Sequence, residues 1–235
     1  MKHAVVTGAA GGMGRAICAK LLADGFHVTG LDLDIDGLAQ MEQPQFSGCG
    51  VDLTDSAAID TIFQEFDRLD VLVNNVGTCF MSDFPDIPAE EFSRQMEVNF
   101  ASAFYCCQAG VKRMLGGEGV RKIINISSNG AYNFDVFDPP HYRASKAAMD
   151  TLTKDLARRY ATEKIAVNSI APAMTETPLF NVLTPEVLAR AIAAMPHGRA
   201  MQASEVAAWV GFLASPAGDI SSGNVIILNQ GRDVR

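Results

Sequence analysis

Basic residues are in short supply: 19 Lys and Arg stand against 27 Asp and Glu, a formal net charge of −8 over 235 residues. Nucleic acid and anionic membrane surfaces both call for a positive face, so neither is expected as a partner. Long apolar runs are missing too. Met1-Lys2 is followed by only a few apolar residues before glycines intervene, too short for the core of a secretion signal, and no run nears membrane-spanning length. A soluble, cytoplasmic protein is the expectation. The five cysteines (Cys18, Cys49, Cys79, Cys106 and Cys107) form no C-x-x-C pair, and an odd count suits reduced thiols better than a disulfide framework. The four histidines lack ligand spacing, so no metal is expected and zinc-dependent catalysis is disfavoured. Repeats, low-complexity tracts and linkers are absent, which leaves one domain over residues 1–235.

What remains is a regular alternation. Short apolar, β-branched runs at Ala4 to Thr7, Val28 to Asp32, Val71 to Asn74, Lys122 to Ser127, Ile165 to Ile170 and Val225 to Leu228 read as strands covered on both faces. Between them, Gly12 to Asp24, Ser56 to Arg68, Ala89 to Met114, Tyr142 to Thr162 and Ser204 to Ala214 read as helices. Strand and helix in alternation imply β-α-β crossovers and an α/β Rossmann fold, a doubly wound parallel sheet with helices on both faces. Ligands of such sheets gather beyond the carboxyl ends of the strands, so the residues just past each strand are the ones to inspect.

Past the first strand lies Val6-Thr-Gly-Ala-Ala-Gly-Gly-Met-Gly14, four glycines in nine positions. Glycine is entropically costly, and its clustering beside a strand points to a sharp turn or a close approach, with the following helix offering free N–H groups to a phosphate. Past the second strand stands Asp32, 18 residues beyond Gly14. A carboxylate at that distance accepts hydrogen bonds from an adenosine ribose. Strand, turn, helix and acid together make a dinucleotide site.

These residues resemble the short-chain dehydrogenase/reductase family over nearly the whole chain. The T-G-x-x-x-G-x-G signature matches Thr7-Gly8-Ala9-Ala10-Gly11-Gly12-Met13-Gly14, and N-N-A-G appears as Asn74-Asn75-Val76-Gly77. Asp52-Leu53 matches the family's adenine-contacting pair, and Tyr142-Arg-Ala-Ser-Lys146 gives Y-x-x-x-K. The resemblance implies a catalytic set of Asn99, Ser128, Tyr142 and Lys146, with Ser127 held in reserve for Ser128. It also implies cofactor contacts from Gly8, Gly12, Met13, Gly14, Asp32, Asp52, Leu53, Asn75, Gly77, Tyr142, Lys146, Pro172 and Thr177. Residues of about 1–120 then form the nucleotide half, and 121–235 the catalytic and substrate half. Two departures stand out: Val76 replaces an alanine under the adenine, and Pro172-Ala173 replaces P-G.

Removing a hydroxyl proton needs a base poised near neutral pH, and unperturbed tyrosine, near 10, is not one. Positions i and i+4 share a helix face, so Lys146 is expected beside Tyr142, its ammonium lowering the phenol. Tyr160 and Lys164 repeat the spacing. They fall 18 residues later, roughly 27 Å along a helix, and so at the wrong edge of the sheet. By resemblance Lys146 also holds the nicotinamide ribose, Ser128 bonds the reacting oxygen and Asn99 keeps a water that links Lys146 to solvent. His141 reads as a pocket-edge or solvated residue rather than a second catalyst.

Ala131 to Pro140, with Phe134, Val136 and Phe137, and Met174 to Met195, with Leu179, Phe180 and Leu183, follow strand ends and are expected to shape the substrate pocket. Satellite core and subunit contact are their alternatives. The reading is an NAD-dependent enzyme interconverting a small cyclic or aromatic secondary alcohol and its ketone. Asp32 repels a 2′-phosphate, and neither Gly11 nor Leu33 supplies a cation to bind one. Reduction of 3-oxoacyl thioesters and a non-catalytic NAD(H)-sensing regulator are the alternatives. A homotetramer, paired through Ala89 to Met114 and Tyr142 to Thr162, is what the resemblance implies.

Overall fold

Strands buried on both faces must be covered by helices on both sides, and the chain solves this with a layered sheet. The computed structural model describes residues 1–41, 43–134 and 138–233, and of Leu179 and Val182 the backbone alone. In chain order the main strands are β1 (His3–Thr7), β2 (His27–Asp32), β3 (Phe46–Gly50), β4 (Val71–Asn74), β5 (Arg121–Ile126) and β6 (Ile165–Pro172). Two-residue strands β7 (Thr175–Glu176) and β8 (Met201–Gln202) pair with each other, and β9 (Val225–Leu228) completes the main sheet. All neighbours are parallel, in the order β3-β2-β1-β4-β5-β6-β9. The order reverses between β1 and β4, and that reversal opens the crevice where a doubly wound sheet binds its ligand.

Alternating strand residues feed two separate cores. Ala4, Val6, Val73 and Ile124 pack under helix α1 (Gly12–Ala23) and helix α8 (Ala203–Ala214), through Ile17, Leu21, Val206 and Val210. Val5, Leu72, Ile123 and Val167 face the other way, against Phe63 of α3 (Ser56–Gln64) and Met114 of α5 (Ser102–Met114). Each such fully buried Ile, Leu or Phe contributes roughly 1.5–3 kcal/mol.

Besides the two-residue strands β7 and β8, three elements escape the sequence reading. Strand β3 has the sequence Phe-Ser-Gly-Cys-Gly, is exposed along most of its length and lies at the sheet edge, so neither apolarity nor β propensity marks it. The short helices α2 (Ile35–Ala39) and α7 (Pro185–Ala193) are added likewise. The helix expected over Ala89 to Met114 is interrupted: α4 (Ala89–Met96) passes through a π-helical turn, Glu97–Ala101, before α5. That turn carries Asn99, and π turns of this kind gather at functional sites. Helix α6 (Pro140–Arg159) follows β5 and carries both Tyr142 and Lys146.

The turn after β1 is the tightest point. Gly8 adopts φ +65°, and a Cβ on Gly14 would sit 1.9 Å from the Gly8 carbonyl oxygen. Gly14→Ala is therefore expected to cost about 3 kcal/mol through overpacking and to lower the thermal midpoint by roughly 6–12 °C. Gly11→Ala, whose Cβ would clear the same oxygen at 3.4 Å, is expected to melt close to wild type. Thermal unfolding followed by circular dichroism checks the contrast.

Candidate active site

A groove of about 600 Å³ runs across the carboxyl ends of β1, β2 and β4. Its walls include Gly8, Gly12, Met13, Asp32, Asp52, Leu53, Asn75, Gly77 and Thr177, nine of the residues expected to meet a cofactor. Gly14 is absent from the wall and packs beneath the turn. Pro172 lines the adjoining cavity instead, as does Tyr142. Lys146 lies behind both, 4% exposed, its Nζ 3.2 Å from where a Cβ on Gly77 would be.

The groove's chemistry suits a dinucleotide. Helix α1 opens on Gly11 with no side-chain cap and no acid in its first turn, so its leading N–H groups are left for an anion. Asn75 staples the turn to β4: its N–H donates to Thr7 Oγ1 at 2.9 Å, and its Nδ2 donates to the Thr7 and Gly8 carbonyls. Its Oδ1 is buried without a partner among the described residues, an acceptor left for a ligand's donor. Asp32 is fastened by the N–H groups of Ala10 (2.9 Å) and Asp34 (3.0 Å), which fix its carboxylate at the end of β2. Asp52 accepts from the N–H and hydroxyl of Thr54, bonds that hold its carboxyl below the usual range. Val76 lines the floor, as its departure from alanine anticipates.

Beyond the groove lies a cavity of about 140 Å³. Met81, Met174, Phe180, Leu183 and Cys79 give it an apolar side; Ser128, Tyr142, Asp138 and Arg232 give it a polar one. Burial pushes the Cys79 thiol up to about 12, which makes it inert. Phe134 does not line the cavity as expected. It is 80% exposed, with the Arg143 guanidinium 5.5 Å from its ring centroid, on the outer side of the loop. Val136 and Phe137, and the side chain of Leu179, lie outside the described residues.

The chemistry-bearing side chains converge at the head of α6. Ser128 and Tyr142 line the same cavity, and the Ser128 hydroxyl, which accepts from Gly130 N–H at 3.0 Å, favours the phenolate form of Tyr142. Ser127 turns the other way: its hydroxyl donates to Asp150 Oδ2 at 2.9 Å. Lys146 Nζ donates to the Ile126 carbonyl at 2.9 Å. Asn99 is fully buried, its Nδ2 donating to the Thr78 carbonyl and Ser145 Oγ while its Oδ1 accepts from Thr78 N–H.

Electrostatics here differ from the sequence expectation. The Tyr142 phenol is raised above its ordinary 10, first by burial and then by the charge of Asp138, with the Ser128 hydrogen bond pulling it back in part. Lys146 is desolvated in the same way: burial drags it from 10.5 to about 8, opposed by Asp150. Asp150 in turn is raised by burial, against hydrogen bonds from Ser169, Ser127 and Tyr132. His141 is neither solvated nor at the pocket edge. It is 3% exposed, its Nε2 3.2 Å from Glu91 Oε1, and ties α4 to α6.

Asp138, Asp150, Arg94 and Arg232 were not anticipated. Asp150 stands at i+4 from Lys146 and Asp138 at i−4 from Tyr142, so one-turn spacing was the available signal. Arg94, on the groove wall, and Arg232, reaching the cavity from the far end of the chain, carry no local signal. Tyr160 caps the opposite end of α6, away from both the groove and the cavity, as its spacing argument required.

The model of the family described as short chain dehydrogenase matches residues 2–187. The 3alpha-hydroxysteroid dehydrogenase of Mediterraneibacter gnavus is 31% identical over 240 residues, covering 96% of this chain and 94% of the relative. The acetoacetyl-CoA reductase of an Acinetobacter species is 34% identical, covering 98% and 97%. Among solved structures, the Pseudomonas aeruginosa RhlG/NADP active-site complex superposes with a TM-score of 0.91 at 29% identity, over 98% of this chain and 96% of that one.

The buried pair of Lys146 and Asp150 makes a titration testable. Lys146 is expected to lose its proton near pH 8, and Asp150→Asn, which removes the charge favouring the ammonium, is expected to move that loss to lower pH. NMR of ¹³C-labelled lysine Cε across pH 6–11 (about the range that brackets both values) reads the shift directly. A Lys146 titrating with the surface lysines would refute the assignment.

Proposed function

The chain belongs to the short-chain dehydrogenase family, and from that premise we propose that it is an NAD-linked enzyme interconverting a small secondary alcohol and its ketone. The observation that carries the proposal is the meeting of Ser128 and the Tyr142 phenol in one cavity that adjoins a groove lined by the glycine turn and Asp32. The family is one of oxidoreductases using NAD(P). A cavity of about 140 Å³ is on the scale of a single small ring.

In this reading Gly8, Gly12, Met13 and the first N–H groups of α1 hold the pyrophosphate, Asp32 the adenosine ribose, and Lys146 the nicotinamide ribose. When bound, the nicotinamide supplies a hydride acceptor or donor. Ser128 donates a hydrogen bond to the substrate oxygen and fixes it against Tyr142. Tyr142 takes the alcohol proton, or returns it during ketone reduction, while Lys146 stabilises the phenolate by charge. Asn99 orders Thr78 and Ser145, and so supports the back of the site.

The choice of NAD is supported at the end of β2. Asp32 faces the groove and Leu33 follows it, 64% exposed and uncharged. The nearby Arg15 donates to the Ala10 and Gly37 carbonyls, which occupies its guanidinium. A thioester reductase is the second reading, favoured by the 34% identity to the acetoacetyl-CoA reductase. A non-catalytic regulator is disfavoured because Ser128, Tyr142, Lys146 and Asn99 are all present and clustered.

Two measurements test the proposal. With a panel of secondary alcohols and ketones followed by NADH absorbance, Tyr142→Phe is expected to lower kcat by about 10²–10⁴-fold. Tyr160→Phe, which shares the spacing but sits at the other end of α6, is expected to keep wild-type turnover. The reverse pattern in folded proteins would place the site elsewhere. Wild type is expected to prefer NAD over NADP, and Asp32→Ala with Leu33→Arg to shift that ratio toward NADP by about 10–100-fold. No shift would mean that the ribose is held by other groups.

A further inference from the structure

The cavity contains a charge that the proposed chemistry does not need. Among the described residues lining it, Asp138 is the one carboxylate. It sits four residues before Tyr142, and its negative field opposes ionisation of both Tyr142 and Cys79. A carboxylate placed beside a base that must itself become negative works against turnover. The backbone that carries it is nonetheless held firmly. Arg143, the residue after Tyr142, donates from Nε to the Asp138 carbonyl at 2.8 Å and from its terminal nitrogen to the carbonyls of Gly130 and Asn133.

The local packing is also specific to this carboxylate. A Cβ on Gly130 would lie 2.3 Å from Asp138 Oδ2 and 3.2 Å from Ser128 Oγ, so glycine alone leaves room for the carboxylate there. The same two distances bring Asp138 Oδ2 and Ser128 Oγ close to a common point. One oxygen belongs to the residue proposed to grip the reacting hydroxyl. The other is a charged acceptor within reach of the neighbouring position on the same small molecule.

Resting on the alcohol dehydrogenase reading above, we propose that Asp138 is a specificity-determining residue that accepts a hydrogen bond from a second hydroxyl, on the carbon adjacent to the reacting one, so that the preferred substrate is a vicinal diol. A donated hydrogen bond disperses the carboxylate charge and weakens its opposition to Tyr142, so the matching substrate both binds and relieves the base. A neutral hydroxyl fits better than an ammonium, because the cavity already contains the Arg232 guanidinium and an added cation would lie in the same confined space.

The test compares kcat/KM, with NAD, for cis-cyclohexane-1,2-diol, cyclohexanol and cis-2-aminocyclohexanol. Wild type is expected to favour the diol over cyclohexanol by at least about tenfold, and Asp138→Asn to reduce that ratio by about 10–100-fold while still turning over cyclohexanol. Should the asparagine variant fail to fold, as judged by its melting curve, Gly130→Ala keeps the charge but displaces the carboxylate and is expected to lower the same ratio. An unchanged ratio in the folded variant overturns the inference, as does a wild-type preference for the amino alcohol. Equal use of diol and cyclohexanol by wild type overturns the inference alone. No turnover of any of the three with either NAD or NADP overturns the alcohol dehydrogenase reading, and the inference with it.

Discussion

Where β1 ends, the backbone turns into α1 with the Gly8 carbonyl oxygen only 1.9 Å from where a Gly14 side chain would begin. Helix α1 can approach the strand that closely only because Gly14 has no Cβ, and this approach aims the helix's first N–H groups across the sheet edge. Asn75 then bonds the turn from the β4 side, which joins the two strands flanking the topological reversal. The closeness propagates outward. Thr177 and Pro178 rest against Gly12, where a Cβ would meet Pro178 Cδ at 2.8 Å, so the segment after β6 that borders the cavity is seated on the same turn. Groove and cavity are thus built around one intolerant contact.

Behind that frame lies a small set of charges that burial makes costly. Lys146 is desolvated and opposed in this by Asp150, whose own carboxyl is raised by burial and restrained by hydroxyl donors. Tyr142 is desolvated as well, with Asp138 on its other side. Each group is displaced from its solution value first by the loss of water and only then by its neighbours. A lysine half-titrated near pH 8 carries less positive charge there than one at the surface. The field felt at the phenol is then decided by the balance of Lys146, Asp150 and Asp138 together rather than by any pair.

Features carried by neighbours in sequence were legible before the fold was seen. The glycine turn, Asp32 at the end of its strand and the tyrosine-lysine spacing on one helix face all follow from local geometry, and the structure brings these residues to one edge of the sheet. Strand β3 was invisible because an exposed edge strand containing Gly48 and Gly50 needs no apolar pattern; its register is supplied by pairing with β2. The π turn at Asn99 was invisible for a different reason: one extra residue per turn leaves the helical composition unaltered. Phe134 misled because an aromatic ring in a loop beside the site was expected inside it, whereas Arg143 offers it a cation at the surface. Arg232 could not be read at all, since its place in the cavity is set by the return of the chain after β9.

The division between Ser127 and Ser128 shows how little freedom the fold leaves at the site. Both follow β5, and consecutive residues in extended backbone point to opposite sides. Ser127 therefore looks down onto α6, where its hydroxyl donates to Asp150 Oδ2 at 2.9 Å and the Lys146 carbonyl lies at 3.3 Å. Ser128, with φ −152° and ψ 144°, is still extended and looks up toward Tyr142. Exchange of their roles would require a one-residue slip of β5, which would also move Asn125 away from Asn74 and Thr153, to which it is hydrogen-bonded at 2.8 Å on each side. The serine that meets the phenol is consequently selected by strand register, and the register is held by the buried amide ladder one turn below.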